Sequence, residues 1–388
     1  MSDPVAITGV GVVCALGIGV EAFWEALAAG RGGCGPGRRV DTPGLLVAEV
    51  AGLEAGRFAF SAQARRIDRT SLLALAAAQL ALADAGLTRE QLVPASTAVG
   101  LGSAFGNLEE TAMFLDRVFA RGTGNPMLFP NLVMNAPLSY ACIELGVTGP
   151  TAMVTEQEAS GEGAIAWGAR QIADGAAQVC LAGGSDELTS GLVRLRRETG
   201  TIGAGPPRPL DPHADGACLG EGAAVLVLEG LARARARGAS VYAALVPHDG
   251  TGIPAPVHGW PVDGDALGRV LAPLVADADL VVAAASGSPP LDTVEADALT
   301  GAFGGRRVAV TAPRGATGDF GSAGALGVAA AALAIRDGIV PPTLGCRLPA
   351  RRGLDVVTGT ARRMPVRVAV VDGLARGGMC CPVRLEAT

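Results

Sequence analysis

The chain has 388 residues, of which 49% are apolar, 4% are aromatic and 56 are glycine. The apolar content is therefore mainly alanine, valine and leucine, which favours small-residue helices packed on a buried sheet. The formal net charge of −6 argues against nucleic acid or an anionic membrane as the main partner. No apolar run approaches the roughly 20 residues that cross a bilayer. We therefore expect a globular protein that does not span a membrane.

The N-terminus and the cysteines bear on the cellular compartment. The first residues, MSDPVAITGVGVV, lack the basic region and cleavage site of an export signal, so we expect a cytoplasmic protein. The eight cysteines form no CxxC or Cys/His cluster, which predicts reduced thiols in the core and no metal site. The histidines, His213, His248 and His258, stand apart from them, and we expect no catalytic role for them.

Continuous runs of valine, alanine and leucine predict strands that are buried on both faces. In chain order they cover residues 5–13, 97–101, 152–155, 178–182, 222–229, 276–284, 307–311 and 367–372. Helical patterns lie between them at residues 20–29, 68–85, 161–173, 292–301 and 325–336. Asp68 and Thr70 are candidate N-caps of the second of these helices. The alternation of strands and helices predicts an α/β architecture.

A weak internal repeat divides the chain into two parts. The early segments VAITGVGVV and TAVGLGSA are echoed later by DLVVAAASGS and RVAVTAPRG, each of which runs into a glycine-rich turn. A basic segment, LARARARGAS at residues 231–240, is predicted to form a surface helix near the junction. We therefore predict two halves, residues 1–235 and 236–388, fused into one unit.

The segment Gly149–Arg170 predicts a buried strand, a sharp turn and a helix of small residues. Such a turn places one side chain at a helix N-terminus, where unpaired N–H groups and the helix dipole favour an anion. Enzymes use this geometry to hold a thiolate or an oxyanion. The residue at the turn is Glu158. A carboxylate that attacked a thioester would form a reactive anhydride, so we expect Glu158 to cap the helix and to pair with a nearby cation.

Motifs along nearly the whole chain resemble those of the β-ketoacyl synthases. The most specific block is RPLDPHADGACLGEGAAVLVLEGLARARARGASVYA, from Arg208 to Ala243. The opening VAITGVGVVCALGIGVEAFWEALAAGRGG and the later segments LAGGSDE, DTVEADAL, TGDFGSAGAL and LARGGM follow the family's order. The resemblance implies a thiolase-like α/β fold, with two pseudo-repeated halves in an αβαβα arrangement of layers.

The resemblance also implies where the family's catalytic groups would lie. They are a cysteine nine residues after the glycine of the Gly-Pro lead-in, two histidines, a lysine that accompanies the second histidine, and a gating phenylalanine. In this chain the cysteine, first histidine, lysine, second histidine and phenylalanine positions read, in chain order, Glu158, Ser286, Arg314, Asp319 and Arg376. We therefore expect no catalytic residue. We predict instead that the two acids and the two arginines form buried ion pairs in the former pocket.

A synthase fold without its catalytic set resembles the chain length factor, or ketosynthase β subunit, of type II polyketide synthases. That resemblance implies a heterodimer with an active ketosynthase and no cofactor of its own. The substrate would arrive as a phosphopantetheine thioester on an acyl carrier protein. The inactive subunit would shape the acyl tunnel, for which we expect the lining residues Phe105, Ala112, Met113, Phe114 and Leu128. Ordinary core packing at helical spacing explains the same five residues equally well.

Other functions remain open at this point. One is a non-condensing acyltransferase, which would need a base near Glu158, and another is a malonyl decarboxylase, which would need the histidine pair. A third is a homodimeric scaffold without a synthase partner. The two catalytic-loop motifs, around Ser286 and Asp319, are trimmed relative to the pattern of the family that the chain resembles. These motifs and the glutamate at the nucleophile position favour a polyene or aryl-polyene product over an aromatic polyketide.

Overall fold

The valine- and alanine-rich runs pair into one large sheet in the structure, a computed structural model that describes residues 3–59 and 66–388. Most of its long strands are buried on both faces, as their unbroken apolar sequence predicts. The strands of the described residues are β1 (Val5–Cys14), β2 (Gly17–Ile18), β3 (Gly35–Pro36), β4 (Leu46–Ala48), β5 (Thr97–Gly102), β6 (Thr151–Val154), β7 (Val179–Asp186), β8 (Leu219–Gly220), β9 (Gly222–Gly230), β10 (Ala243–Val246), β11 (Thr251–Gly252), β12 (Leu280–Val282), β13 (Ala309–Thr311), β14 (Ile339–Val340), β15 (Asp355–Val356), β16 (Arg362–Arg363), β17 (Val368–Val371), β18 (Met379–Cys380) and β19 (Val383–Glu386).

Helices connect the strands and cover the sheet. Those of the described residues are α1 (Val20–Ala28), α2 (Ala55–Phe58), α3 (Arg69–Asp84), α4 (Leu108–Arg121), α5 (Ala136–Leu145), α6 (Ser160–Ala173), α7 (Ser190–Glu198), α8 (Leu231–Ala236), α9 (Gly264–Val275), α10 (Pro289–Phe303), α11 (Arg314–Thr317) and α12 (Gly324–Asp337). Asp68 caps α3 as predicted, since its carboxylate accepts a hydrogen bond from the Ser71 backbone N–H at 2.8 Å. Thr70 lies inside the helix and does not cap it. No helix of the described residues is both long and apolar enough to cross a membrane.

The strand order repeats between the two halves of the chain. The first half has the order β6-β5-β7-β9-β1, and the second has β13-β12-β17-β19-β10, with β15 added at its outer edge. Numbered within each half, both orders read third, second, fourth, fifth, first, and the parallel and antiparallel pairings also match. β1 and β10 pair antiparallel and join the halves. The structure therefore repeats between the halves, but of the echoed segments only TAVGLGSA and DLVVAAASGS hold equivalent places, in β5 and β12. VAITGVGVV forms β1, which is equivalent to β10, and RVAVTAPRG begins with β13, which is equivalent to β6.

The helices complete five layers. α6 and α12 pack against each other in the middle, with half of the sheet on either side. α3 and α5 cover the outer face of the first half, and α9 and α10 cover that of the second. The central helices can approach closely because Gly161 has no side chain. A Cβ atom added at Gly161 would lie only 3.0 Å from the Ala325 Cβ. The predicted αβαβα arrangement is confirmed, and it buries the N-terminus of α6 at the centre of the molecule.

Some elements differ from those that the sequence predicted. The strand at residues 152–155 was expected to be buried, but β6 lies at the edge of the sheet and its residues are exposed or half-buried. The predicted strand at residues 276–284 is reduced to β12, because the helix before it, α9, extends to Val275 and a turn follows. β10 and β19, which close the sheet between the halves, were missed. Both are four-residue strands in which buried and more exposed residues alternate, and β19, with the sequence VRLE, also lacks a continuous apolar run.

Candidate functional site

The turn between β6 and α6 directs the Glu158 side chain into the protein. A 3₁₀ turn at Gln157–Ala159 links the two elements, and Gln157 has a positive φ of 52°. A residue other than glycine in this left-handed region costs on the order of 1 kcal/mol, so the packing around the turn must hold it in place. The result is that Glu158 is only 2% exposed at the start of the central helix.

Two arginines neutralise the Glu158 carboxylate. Its Oε1 accepts hydrogen bonds from Arg376 Nη1 and, at 3.2 Å, from Arg196 Nη2. Its Oε2 accepts a hydrogen bond from the backbone N–H of Arg376 at 3.1 Å. The predicted ion pair with Arg376 is present, and Arg196 is a second partner that the sequence did not indicate. The expectation that Glu158 caps the helix was wrong, because its oxygens face the two guanidinium groups and not the N–H groups of α6.

An aromatic ring covers Arg376 from the other side. The guanidinium carbon of Arg376 lies 4.6 Å from the ring centroid of Trp260, within the range of a cation–π contact. Burial lowers the pKa of Arg376 and nearby Glu158 opposes that effect. The Arg376 cation is therefore packed between a carboxylate and an indole.

Arg314 and Asp319 form the second predicted pair. Arg314 Nη1 donates a hydrogen bond to Asp319 Oδ1 at 3.1 Å, and the Arg314 side chain is 4% exposed. Burial disfavours its charge, but nearby carboxylates more than offset this and raise its pKa; they are those of Asp319, Glu162, Glu158 and Glu295. The two acids and two arginines of the former pocket thus belong to one buried cluster of charges.

Ser286 stands in a loop that Asp292 organises. The Asp292 carboxylate accepts hydrogen bonds from the backbone N–H groups of Ser286, Gly287 and Leu210, at 2.8 to 3.3 Å. Burial raises the pKa of Asp292 to about 7, against these hydrogen bonds. The Ser286 hydroxyl is fully buried and has no hydrogen-bond partner among the described residues. It lacks the neighbouring base that would activate it as a nucleophile.

The histidines lie outside this charged cluster. His213 contacts Asp211 through its Nδ1 at 3.2 Å on a surface loop. His248 lines a surface cavity of about 370 Å³ together with Trp167 and Cys381, and His258 is exposed. No group of three or more histidine, cysteine or acidic residues in the described ranges is arranged to hold a metal ion.

Sequence reasoning missed a second set of buried acids behind the cluster. Glu295 and Asp372 both accept a hydrogen bond from the Ala284 backbone N–H, at 2.6 and 3.0 Å. Glu162, one turn after Glu158 on α6, is fully buried, and burial raises its pKa to about 7. The sequence did contain a signal for Glu162, because this acidic residue stands among small residues at the start of a predicted buried helix. An acidic side chain is rarely buried without a partner.

The five predicted tunnel residues lie on or beside an exposed apolar surface. No residue of α4 is buried, and Met113, Leu115 and Phe119 on this helix are 52%, 44% and 84% exposed. The surface continues over Met127 and Phe129. We call α4 together with residues 127–129 the α4 surface. Ordinary core packing does not explain Ala112 and Met113, which are exposed, whereas Phe105 does pack against a buried apolar cluster of this chain.

Each candidate has a defined place relative to the α4 surface. Ala112 and Met113 are exposed on α4. Phe114 is half-buried and packs edge-to-face on Phe129, with ring centroids 6.5 Å apart, and Leu128 is half-buried beside it in sequence. Phe105 precedes α4 and lies under the Arg196 guanidinium, 5.9 Å from its carbon to the ring centroid.

Comparison with known families decides the relationship. The profile described as "Beta-ketoacyl synthase, N-terminal domain" matches residues 2–234, and that described as "Beta-ketoacyl synthase, C-terminal domain" matches residues 263–347. The chain belongs to the β-ketoacyl synthase family. The buried charged cluster described above therefore lies within a β-ketoacyl synthase fold.

Similar proteins include both polyketide synthase subunits and 3-oxoacyl-[acyl-carrier-protein] synthases. The chain is 34% identical to the tetracenomycin polyketide synthase ketoacyl synthase beta subunit of Streptomyces glaucescens, over 97% of this chain and 96% of that protein. It is 29% identical to a 3-oxoacyl-[acyl-carrier-protein] synthase 2 of a Synechocystis strain, over 96% and 95%. Among solved structures, the ishigamide ketosynthase/chain length factor matches with a TM-score of 0.94 and 28% identity, over the whole of both chains.

Proposed function

We propose that this β-ketoacyl synthase homologue is a chain length factor, a non-catalytic subunit that pairs with an active ketosynthase of a type II polyketide synthase. The observation that carries the proposal is the state of the nucleophile position. There Glu158 is buried and neutralised by Arg376 and Arg196 on an otherwise intact scaffold. The similarity to a polyketide synthase beta subunit and to a ketosynthase/chain length factor structure supports it.

The chemistry of the cluster supports a non-catalytic role. Both Glu158 oxygens are engaged by arginine N–H groups, which lowers their nucleophilicity. Ser286 and Asp319 replace the two histidines, and Asp319 is itself paired with Arg314. Neither residue supplies the cationic charge that would stabilise a decarboxylating malonyl group. We therefore place condensation, acyl transfer and decarboxylation in the partner subunit.

The α4 surface supports a protein partner. An exposed apolar patch on a folded chain commonly marks a protein interface, and no residue of α4 is buried within this chain. Strand β6 at the edge of the sheet adds backbone groups that a neighbouring strand can pair with. We infer that the active ketosynthase covers the α4 surface and β6, and that an acyl carrier protein delivers the phosphopantetheine thioester to the complex.

Tunnel shaping follows from the position of the α4 surface at such an interface. Side chains there would close the far end of the partner's acyl tunnel. Each CH₂ group of the chain that finds apolar space gains about 0.8 kcal/mol, and overpacking costs about 1–3 kcal/mol. We propose that Phe105, Ala112, Met113, Phe114 and Leu128 set product length in this way. A polyene or aryl-polyene product remains our prediction ahead of an aromatic one.

Co-expression with an active type II ketosynthase subunit tests the proposal. We expect the two chains to elute together from a size-exclusion column as a 1:1 complex that extends acyl chains. Elution of this chain as a homodimer, with the ketosynthase in a separate peak, would favour a scaffold role instead.

A further inference from the structure

Glu158 has a structural link to the α4 surface that runs through Arg196. Arg196 lies on α7, a helix that carries none of the five positions where the family has its catalytic residues. Its guanidinium donates to Glu158 on one side and stands over the Phe105 ring on the other. One side chain therefore contacts both the former nucleophile position and the residue that leads into α4.

α7 and the start of α4 are also packed together. Leu192 and Val193 of α7 are buried in a small apolar cluster, against which Phe105 and Leu108 pack. The backbone N–H of Glu109, in the first turn of α4, donates to Glu187 Oε1 at 3.0 Å, just before α7. These contacts join the two helices at one end, whereas the rest of α4 has no buried residue. The position of α4 therefore depends on the placement of α7.

We propose that Glu158 is a positioning residue for the partner interface: it holds Arg196, and Arg196 fixes α7 and the beginning of α4. The inference rests on the proposed heterodimer. It gives the glutamate at the retired nucleophile position a present role, which is to keep the α4 surface in the orientation that the ketosynthase binds. A preordered surface binds more tightly because less conformational freedom is lost on association.

The test measures binding of the ketosynthase subunit that co-purifies with the wild-type chain. We expect Arg196→Gln and Glu158→Gln each to raise the heterodimer Kd about tenfold and to increase hydrogen exchange of the α4 amides in the free chain. Arg196→Lys, which retains the charge, should recover part of the affinity. Hydrogen exchange of the free chain needs no partner, so it reports on the link itself.

Two variants serve as matched controls. Arg194→Gln changes an exposed arginine of the same helix that pairs with exposed Glu198, at 2.9 Å. Arg237→Gln breaks a pair with buried Glu229 at 2.6 Å, and Arg237 is about as exposed as Arg196 but lies after α8. Both controls should leave the Kd and the exchange of α4 within about twofold of wild type.

The outcomes separate this inference from the proposed function. If the wild-type chain binds the ketosynthase and Arg196→Gln binds equally well, with unchanged exchange in α4, the positioning role is wrong and the heterodimer stands. An equal loss of affinity in Arg237→Gln would also overturn it, because general destabilisation would then explain the effect. If the wild-type chain forms no heterodimer, the proposed function fails and this inference fails with it.

Discussion

At the residue scale, the cluster around Glu158 and Arg376 is a set of buried, mutually paired charges. Breaking a buried ion pair costs more than the pair itself contributes, because the remaining charge stays desolvated. Arg376 has Glu158 below it and Trp260 above it, and the three side chains are closely packed. The cluster is therefore expected to behave as a structural element whose members depend on each other.

Arg376→Gln tests that dependence in the free chain. The change leaves the Glu158 carboxylate with Arg196 as its remaining charged partner, so we expect a loss of about 3 kcal/mol in the free energy of unfolding. Urea denaturation measures it. Arg194→Gln, which removes an exposed arginine, should change stability by no more than about 0.5 kcal/mol. Equal effects of the two changes would show that the cluster contributes little to folding.

Glu162 makes the stability depend on pH. Burial raises its pKa from the ordinary 4.5 to about 7, with Arg314 opposing the shift and Asp372 and Glu156 adding to it. Between these values the folded chain binds more protons than the unfolded chain, so stability falls as pH rises from about 4.5 to 7. The contribution of this one group is about 3 kcal/mol.

Glu162→Gln should remove that part of the pH dependence. The stability of the variant relative to wild type should therefore rise by up to about 3 kcal/mol when the pH is raised from 5 to 8. Chemical denaturation at both pH values, with Arg194→Gln as the control, measures the difference. A wild-type pH slope retained in Glu162→Gln would contradict the raised pKa of this carboxyl.

The sequence could predict part of this residue-scale picture. The turn motif and the family resemblance located Glu158, Arg314, Asp319 and Arg376, because those positions are fixed by short local patterns. Arg196 could not be found in this way. It lies in LVRLRRE, a segment that looks like a solvated helix face, and its partner is 38 residues away in sequence.

At the element scale, α4 is the feature that a single chain does not explain. Several of its apolar side chains face solvent. The helix nevertheless carries good terminal signals, with Glu109 and Glu110 in the first turn and Gly122 in the left-handed conformation at its end. The sequence predicted apolar residues at helical spacing here, but it could not decide whether they face a core or a partner. That decision depends on which surfaces the other layers already cover.

Phe119→Asp tests whether α4 meets a partner. Phe119 is 84% exposed, so the change should alter the stability of the free chain by no more than about 0.5 kcal/mol. It should abolish co-purification with the ketosynthase, because an aspartate buried at the interface would lack a partner. Val262→Asp, at an equally exposed apolar position in the loop before α9, is the control and should leave co-purification intact. Co-purification of Phe119→Asp at the wild-type level would exclude α4 from the interface.

Ala112→Phe tests the tunnel assignment. If Ala112 lies at the tunnel end, the larger side chain removes room for the growing chain and shortens the main product of the reconstituted pair. Met113→Ala should lengthen it for the converse reason. Mass spectrometry of the released products measures both effects, with Val262→Asp as a control that should not alter length. An unchanged length in every variant of the five candidate residues would show that they do not line the tunnel.

At the scale of the whole molecule, the fold was largely readable from sequence. The buried strands of each half have continuous apolar runs, and the glycine-rich turns that follow them repeat between halves. What the sequence could not supply was the join between the halves, because β10 and β19 are short and only partly buried. β10 and β19 join the two halves of the sheet around α6 and α12. Their positions depend on how distant parts of the chain pack together, which local sequence patterns do not show.

The central claim is that this intact synthase scaffold acts as the unreactive half of a heterodimer. Native mass spectrometry of the co-expressed complex, after incubation with an acyl thioester, tests it most directly. We expect one copy of each chain and a single acyl group, carried by the ketosynthase and absent from this chain. An acyl group on this chain, or a homodimer that excludes the ketosynthase, would contradict it.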